Sequence, residues 1–495
     1  MQLSPPPSPP PRRIGTTVAI VLLAVGFAAS TTIAVVEYVQ LREARQEIEE
    51  LRASQGAGGS GGLFGELGEI LEEAVGDLGE SFGGGAGQGA LDCLTPPEPF
   101  SGEPIDDLPV EQQVTAIADQ VERLRGLRFT EPVEPRFVSP EESAARVREL
   151  FLEEYTPAIG DIESRILGAL GAVPRGTDLR ELRADLLGQQ VAGFYDPETG
   201  ELVVRRAGST LSLNDRVVLA HELDHALTDQ ALGIPLPDDL RAGMEDVDLA
   251  ATALVEGDAT LLMQQYMLSA PFGDQLGALD PSAFTEAIEA QAALSDLPPY
   301  LLSELTFPYE EGLEFVCALY QEGGWEAVNR AYDDPPTASV EVLFPNRYRD
   351  GAGPDDAPDP SGPGPGWVPR AATQLGAANL LWLFEAPGGE PSRAIDQGIA
   401  RSAVEAWHGG EVHLWTDGAR SAVAVRFLED AGADGLCPAV QEWYGASVQG
   451  DRVRGTREGG FLADGANQDA AIACSDDMVA LGIAPDLRTA RALVR

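Results

Sequence analysis

The sequence predicts an α+β protein, mainly helical with a small β-sheet, preceded by an apolar helix of bilayer length and a flexible stalk. Three observations carry this expectation. Apolar residues recur at 3–4 spacing through Val110–Leu127 and Ala144–Leu186, and the pattern stays largely helical as far as Tyr332. Inside that helical body, "VAGFY", the turn "DPETG" and "ELVVRR" read as a β-hairpin ending at Arg206. Ahead of the body, residues 14–36 are uncharged and mostly apolar, and Gly- and Pro-rich sequence follows them.

Taken in order, residues 1–13 form a Pro-rich tail ending in Arg12-Arg13. The 23 residues of segment 14–36 would span about 35 Å as a helix, enough to cross a bilayer. A cleaved signal peptide is the competing reading, but its apolar core usually runs only about 7–15 residues. The Arg pair before the segment and the acidic sequence after it predict a single-pass cell-membrane protein, N-terminus cytoplasmic and the remainder outside. Residues 37–105 read as a stalk, and Leu41, Ala44, Ile48 and Leu51 give residues 37–54 a short heptad-like face for weak self-association. Residues 106–350 form the main body, whose first helix begins near Pro109 and in which "PRFVS" reads as a strand. Residues 351–366, "GAGPDDAPDPSGPGPG", are a linker. A last segment, 367–495, mixes helices with strands at "EVHLWT" and "AVAVRFL".

Composition removes several function classes. Acidic residues number 80 against 33 basic ones, for a formal net charge of −47. Such a surface repels phosphate backbones, which argues against nucleic acid as a partner. Every basic side chain is Arg, so Schiff-base lysines, Ser–Lys dyads and Lys-bearing phosphate loops are excluded. Cys93, Cys317, Cys437 and Cys474 form no CxxC pair, which disfavours a cysteine-built zinc site. Their even number permits two disulfides, separation alone favours Cys437 with Cys474, and buried free thiols are the competing reading.

The chemistry concentrates in "LNDRVVLAHELDHALTDQ", with Asn214 as an expected N-cap. His221 and His225 stand at i and i+4, so both imidazoles leave one helix face a turn apart and can reach one zinc ion. Glu222, beside the first ligand, is placed to take a proton from a zinc-activated water. Two incidentally spaced His in a helix are the bland alternative, and in a chain with only four His that coincidence is rare. Catalytic zinc needs a third protein ligand. His408 and His413 lie far away in sequence with no ligand motif around them. Glu256 sits in an otherwise apolar helix, flanked by Ala253, Leu254, Val255 and Leu261, where an acid needs a partner or a metal unless it faces water. Glu245, Asp246 and Asp248 are weaker candidates because they lie in a polar run.

His221-Glu222…His225 followed by Glu256 in "ALVEGDA" resembles the gluzincin class of zinc peptidases. More closely, "VAGFYDPETGELVV", "AHELDHALTDQ", "ALVEGDAT", "FPYEEGLEFV" and "PPTASVEVLFPNRY" resemble a family of largely uncharacterised bacterial membrane-anchored metallopeptidases over roughly residues 128–450. The resemblance implies a zincin-like fold, zinc ligation by His221, His225 and Glu256, and Glu222 as catalytic base. Phe344 departs from it, since such sequences often carry His there, and Asp224 stands where metallopeptidases usually have an uncharged residue. In zincins an edge strand holds the extended peptide substrate, a role open to "VAGFY" or "ELVVRR". Tyr195, Tyr266 and Tyr309 are unranked candidates for an oxyanion partner.

The favoured reading is therefore a zinc peptidase acting on extracytoplasmic proteins. Two others compete with it: a catalytically inactive, tethered zincin-like binding module of the cell envelope, and a zinc hydrolase of non-peptide bonds. Retention of Glu222, which a binding module would have no need to keep, favours catalysis.

Overall fold

The computed structural model of the chain describes residues 93–94, 105, 108–206, 210–235, 245–269, 294, 297–351, 353–430, 432–433, 435–447, 452–455, 461–464, 468–475 and 477–495. The body opens with helix α1 (Val110–Arg125), whose Gly126 C-cap adopts a left-handed conformation, φ 74°. Strand β1 (Arg136–Val138) follows. The expected helical run 144–186 divides into α2 (Pro140–Glu154), α3 (Pro157–Leu170) and α4 (Leu179–Gln190). Local chemistry makes these breaks. Ser139 and Thr156 cap α2 and α3, each followed by a Pro that cannot continue a preceding helix, and Asp178 caps α4.

Strands β2 (Gly193–Asp196) and β3 (Glu201–Arg205) form the expected hairpin, turning at Gly200 with φ 70°. The small sheet has the order β1-β3-β2, with β1 parallel and β2 antiparallel to the central β3. The "VAGFY" strand is therefore a sheet edge and "ELVVRR" is not. Long helices then build the body: α5 (Leu213–Ala231), α6 (Asp246–Ser269) and α7 (Pro299–Gly323). Shorter ones follow, α8 (Trp325–Asp333), α9 (Ser339–Leu343) and α10 (Pro345–Asp350). Helices α6 and α7 touch backbone to backbone, because a Cβ at Gly257 would lie 2.2 Å from the Gly312 carbonyl oxygen.

After the linker, β4 (Val368–Gln374), β5 (Trp407–Thr416), β6 (Ser421–Glu429), β7 (Arg452–Gly455), β8 (Phe461–Asp464), β9 (Asp469–Cys474) and β10 (Met478–Ala484) form an antiparallel sheet. Its order is β4-β5-β6-β10-β9-β8-β7. Helices α11 (Ala377–Glu385), α12 (Gln397–Glu405), α13 (Leu436–Ser447) and α14 (Leu487–Leu493) accompany it. One apolar core runs through both parts: Ile166, Leu254 and Phe315 of the helical body share a cluster with Trp382, Trp407, Val425 and Leu481. The fold is a mixture of helix and sheet, consistent with the α+β expectation. Disulfides join Cys437 to Cys474 and Cys93 to Cys317.

The expected single-pass membrane location, with a cytoplasmic N-terminus, requires correction. Among the described residues no helix is long and apolar enough to cross a membrane. In α7, Glu304, Glu310, Glu311 and Glu314 break any apolar span, and in α6 Glu256, Asp258, Gln264 and Gln265 keep the mean hydropathy too low. Segment 14–36, on which that expectation rested, and the heptad-like residues 37–54 lie outside the described residues.

Candidate metal centre

Helix α5 starts at Leu213, held by a reciprocal box in which the Ser212 hydroxyl accepts from the Asp215 N–H at 3.1 Å and the Ser212 N–H donates to Asp215 at 2.8 Å. Ser212, rather than the expected Asn214, is thus the N-cap. From Arg216 to Thr228 every side chain is buried, so α5 is a core helix surrounded by protein. His221 and His225 project from it with their Nε2 atoms 3.1 Å apart and their rings perpendicular. Glu256 reaches them from α6, with its Oε2 3.1 Å from His221 Nε2 and 3.4 Å from His225 Nε2. All three residues are buried.

Zinc bonds of about 2.0–2.1 Å at tetrahedral angles require donor atoms about 3.3 Å apart. The three observed separations, 3.1, 3.1 and 3.4 Å, match that edge length. Unsatisfied groups point the same way. Among the described residues Glu256 Oε1 and Glu222 Oε2 are buried without a hydrogen-bond partner, a costly condition that a cation would relieve. Burial pushes His225 down to about 4 and lowers His221 as well, an effect on His221 that Glu256 opposes. Both imidazoles are therefore neutral near pH 7, the form that ligates metal. Burial lifts Glu256 to about 7, while hydrogen bonds from His221 and Tyr309 pull it back.

Glu222 stands outside this triad, on the side of β2. A Cβ built on Gly193 would lie 3.0 Å from Glu222 Cγ and 3.1 Å from its Oε1, so any side chain there would press on the carboxylate at the edge strand. Burial, then the charge of Glu256, raises Glu222 well above the ordinary carboxylate range, and the Tyr195 backbone N–H acts against the rise. A buried carboxyl raised in this way beside a candidate metal centre is the kind of group that active sites use to move protons.

The structure also ranks the tyrosines. The Tyr195 hydroxyl donates to Asp229 at 2.8 Å, and Tyr266 packs in the apolar cluster with Leu223 and Leu227. Tyr309 of α7 is the one beside the triad, hydrogen-bonded to Glu256 and with its ring centroid 6.4 Å from that of His221. Asp246 is engaged elsewhere, accepting from the Ser339 N–H at 3.0 Å, and neither Glu245 nor Asp248 joins the triad. His408 and His413 lie on β5 and pair with Asp355, Asp430, Glu411 and Asp359. Gly193 and the Tyr195 amide escape sequence reasoning, since what fills the space beside them comes from another element. Comparisons with family models, with curated proteins and with solved structures find no match to this chain.

Proposed function

We propose that this chain is a metal-dependent hydrolase with zinc held by His221, His225 and Glu256. More particularly, we read it as a gluzincin-like metallopeptidase. The observation that carries the proposal is the buried triad of donor atoms 3.1–3.4 Å apart, with a second buried carboxyl, Glu222, immediately beside it. Zinc bound there would supply the Lewis acidity that makes a water nucleophilic near neutral pH. Glu222, packed against Gly193, would accept the proton of an attacking water and pass it to the departing amine. The Tyr309 hydroxyl donates its one proton to Glu256 and orients it from the opposite helix. Peptide is favoured as substrate because β2, against which Glu222 lies, is a sheet edge among the described residues; its four residues are buried, so an extended chain would have to pair with it inside the fold.

Glu222→Gln tests this assignment. Its amide accepts no proton at neutral pH, so hydrolysis of a broad peptide library should fall about 10²–10⁴-fold with zinc content and melting temperature nearly unchanged. Full activity in Glu222→Gln would remove Glu222 as the base. Absence of hydrolysis in both proteins would remove the peptidase reading.

A further inference from the structure

A second buried charge cluster lies behind the triad. Arg125, the last residue of α1, is 0% exposed and grips Asp258 of α6 with two parallel hydrogen bonds, Nε to Oδ1 at 3.0 Å and Nη2 to Oδ2 at 2.8 Å. Its Nε also lies 3.9 Å from Asp224 Oδ1 of α5. The Tyr332 hydroxyl of α8 donates to Asp258 Oδ2 at 2.7 Å, and the guanidinium sits 4.4 Å from the centre of the Trp325 ring. The two carboxylates occupy telling positions. Asp224 immediately precedes the ligand His225, and Asp258 lies two residues beyond the ligand Glu256.

An ion cluster of this kind is a poor choice for stability alone, because apolar residues of similar volume often do as well or better in a core. What a guanidinium fork adds is fixed geometry: two directed bonds set a separation that apolar contact would let slide. Without the cation, two buried acids on facing helices would repel each other at the level of the ligands. We propose that Arg125 is a positioning residue for the metal centre. Its fork fixes Asp258 of α6, while its charge, 3.9 Å from Asp224 and without a hydrogen bond to it, draws that buried acid of α5 to the same point, and so favours the close spacing of His221, His225 and Glu256 before metal arrives. This accounts for an acid at position 224, where the resemblance leads one to expect an uncharged residue. The inference rests on the metal reading proposed above, and α1 becomes part of the metal machinery.

The test compares the full chain with Arg125→Lys, which keeps the charge and loses the fork, and with the neutral triple Arg125→Gln/Asp224→Asn/Asp258→Asn. Zinc affinity is measured by competition with a chromophoric chelator, ligand geometry by the visible spectrum of the cobalt-loaded protein, and folding by the melting temperature of the metal-free form. Both variants should lose about 10–100-fold in zinc affinity, the usual scale for groups that orient ligands, with an altered cobalt spectrum. If Arg125→Lys fails to fold, the neutral triple, which leaves no charge at this contact, decides the matter. Wild-type affinity and an unchanged cobalt spectrum in a folded variant would reduce Arg125 to a stability residue and overturn the proposal. A wild-type chain that takes up no zinc would instead defeat the metal reading itself, and this inference with it, before any variant is compared.

Discussion

Gly193 shows how narrowly the centre is built at the level of single residues. Its missing Cβ would meet Glu222 Cγ at 3.0 Å and Oε1 at 3.1 Å, with the Val203 carbonyl oxygen at 3.1 Å closing the other side. Gly193→Ala should therefore displace the carboxylate by a few tenths of an ångström while leaving His221, His225 and Glu256 in place. The expected result is a fall in kcat of roughly tenfold to 10²-fold with zinc content retained, since small misplacements of a reacting group are costly. Unchanged kcat would mean that Glu222 tolerates the shift and is not held by β2. The three residues that converge were legible in the sequence: i, i+4 spacing puts His221 and His225 on one helix face, and an acid among Ala253, Leu254 and Val255 singles out Glu256. Gly193 was not legible, because its constraint is a side chain from α5. The N-cap was misplaced at Asn214, since only the folded box shows Ser212 and Asp215 satisfying each other.

At the level of elements, the contact that matters is α6 against α7. A Cβ on Gly312 would lie 2.3 Å from the Ala253 carbonyl oxygen, and the reciprocal Gly257 adjoins Glu256. Gly312→Ala must push the helices apart, and overpacking of this kind typically costs about 1–3 kcal/mol. Because Glu256 and Tyr309 ride on these two helices, the variant should lower zinc affinity as well as melting temperature. Lowered melting with wild-type affinity would show that the crossing supports the core alone. Neither glycine stood out in the sequence, because which faces of two helices meet depends on their crossing rather than on the periodicity of either. The single helical run expected at 144–186 failed for a more local reason. Thr156-Pro157 and the left-handed Gly171, φ 81°, interrupt an apolar rhythm that continues across the breaks. The hairpin was legible because turn residues and flanking strands carry the same message.

For the molecule as a whole, the acidity is not confined to the surface. Burial lifts Glu163 and Glu256 to about 7, Glu311 to about 8 and Asp246 to about 6. Each keeps its proton to higher pH when folded than when unfolded, so the folded chain binds more protons between the ordinary carboxylate range and about pH 7–8. Stability contributed by these groups is present below that window and lost as pH rises through it. His225, pushed down to about 4 by burial, acts in the opposite sense, since the unfolded chain takes up its proton first as pH falls. The carboxyls outnumber it, and self-repulsion from a net charge of −47 adds in their direction. The metal-free chain should therefore melt at a higher temperature at pH 6 than at pH 8 in the same salt. The reverse order would show that ion pairing, rather than burial, governs these acids. The charge balance behind this behaviour was plain in the sequence, but which acids are buried was not.

The most direct test of the central claim is the metal content of the purified full chain, by elemental mass spectrometry after stripping and refilling with zinc. The geometry of His221, His225 and Glu256 predicts about one zinc ion per chain, sharply reduced in His225→Ala and in Glu256→Ala. Stoichiometric zinc that survives His225→Ala, or a wild-type chain that retains none, would contradict the account.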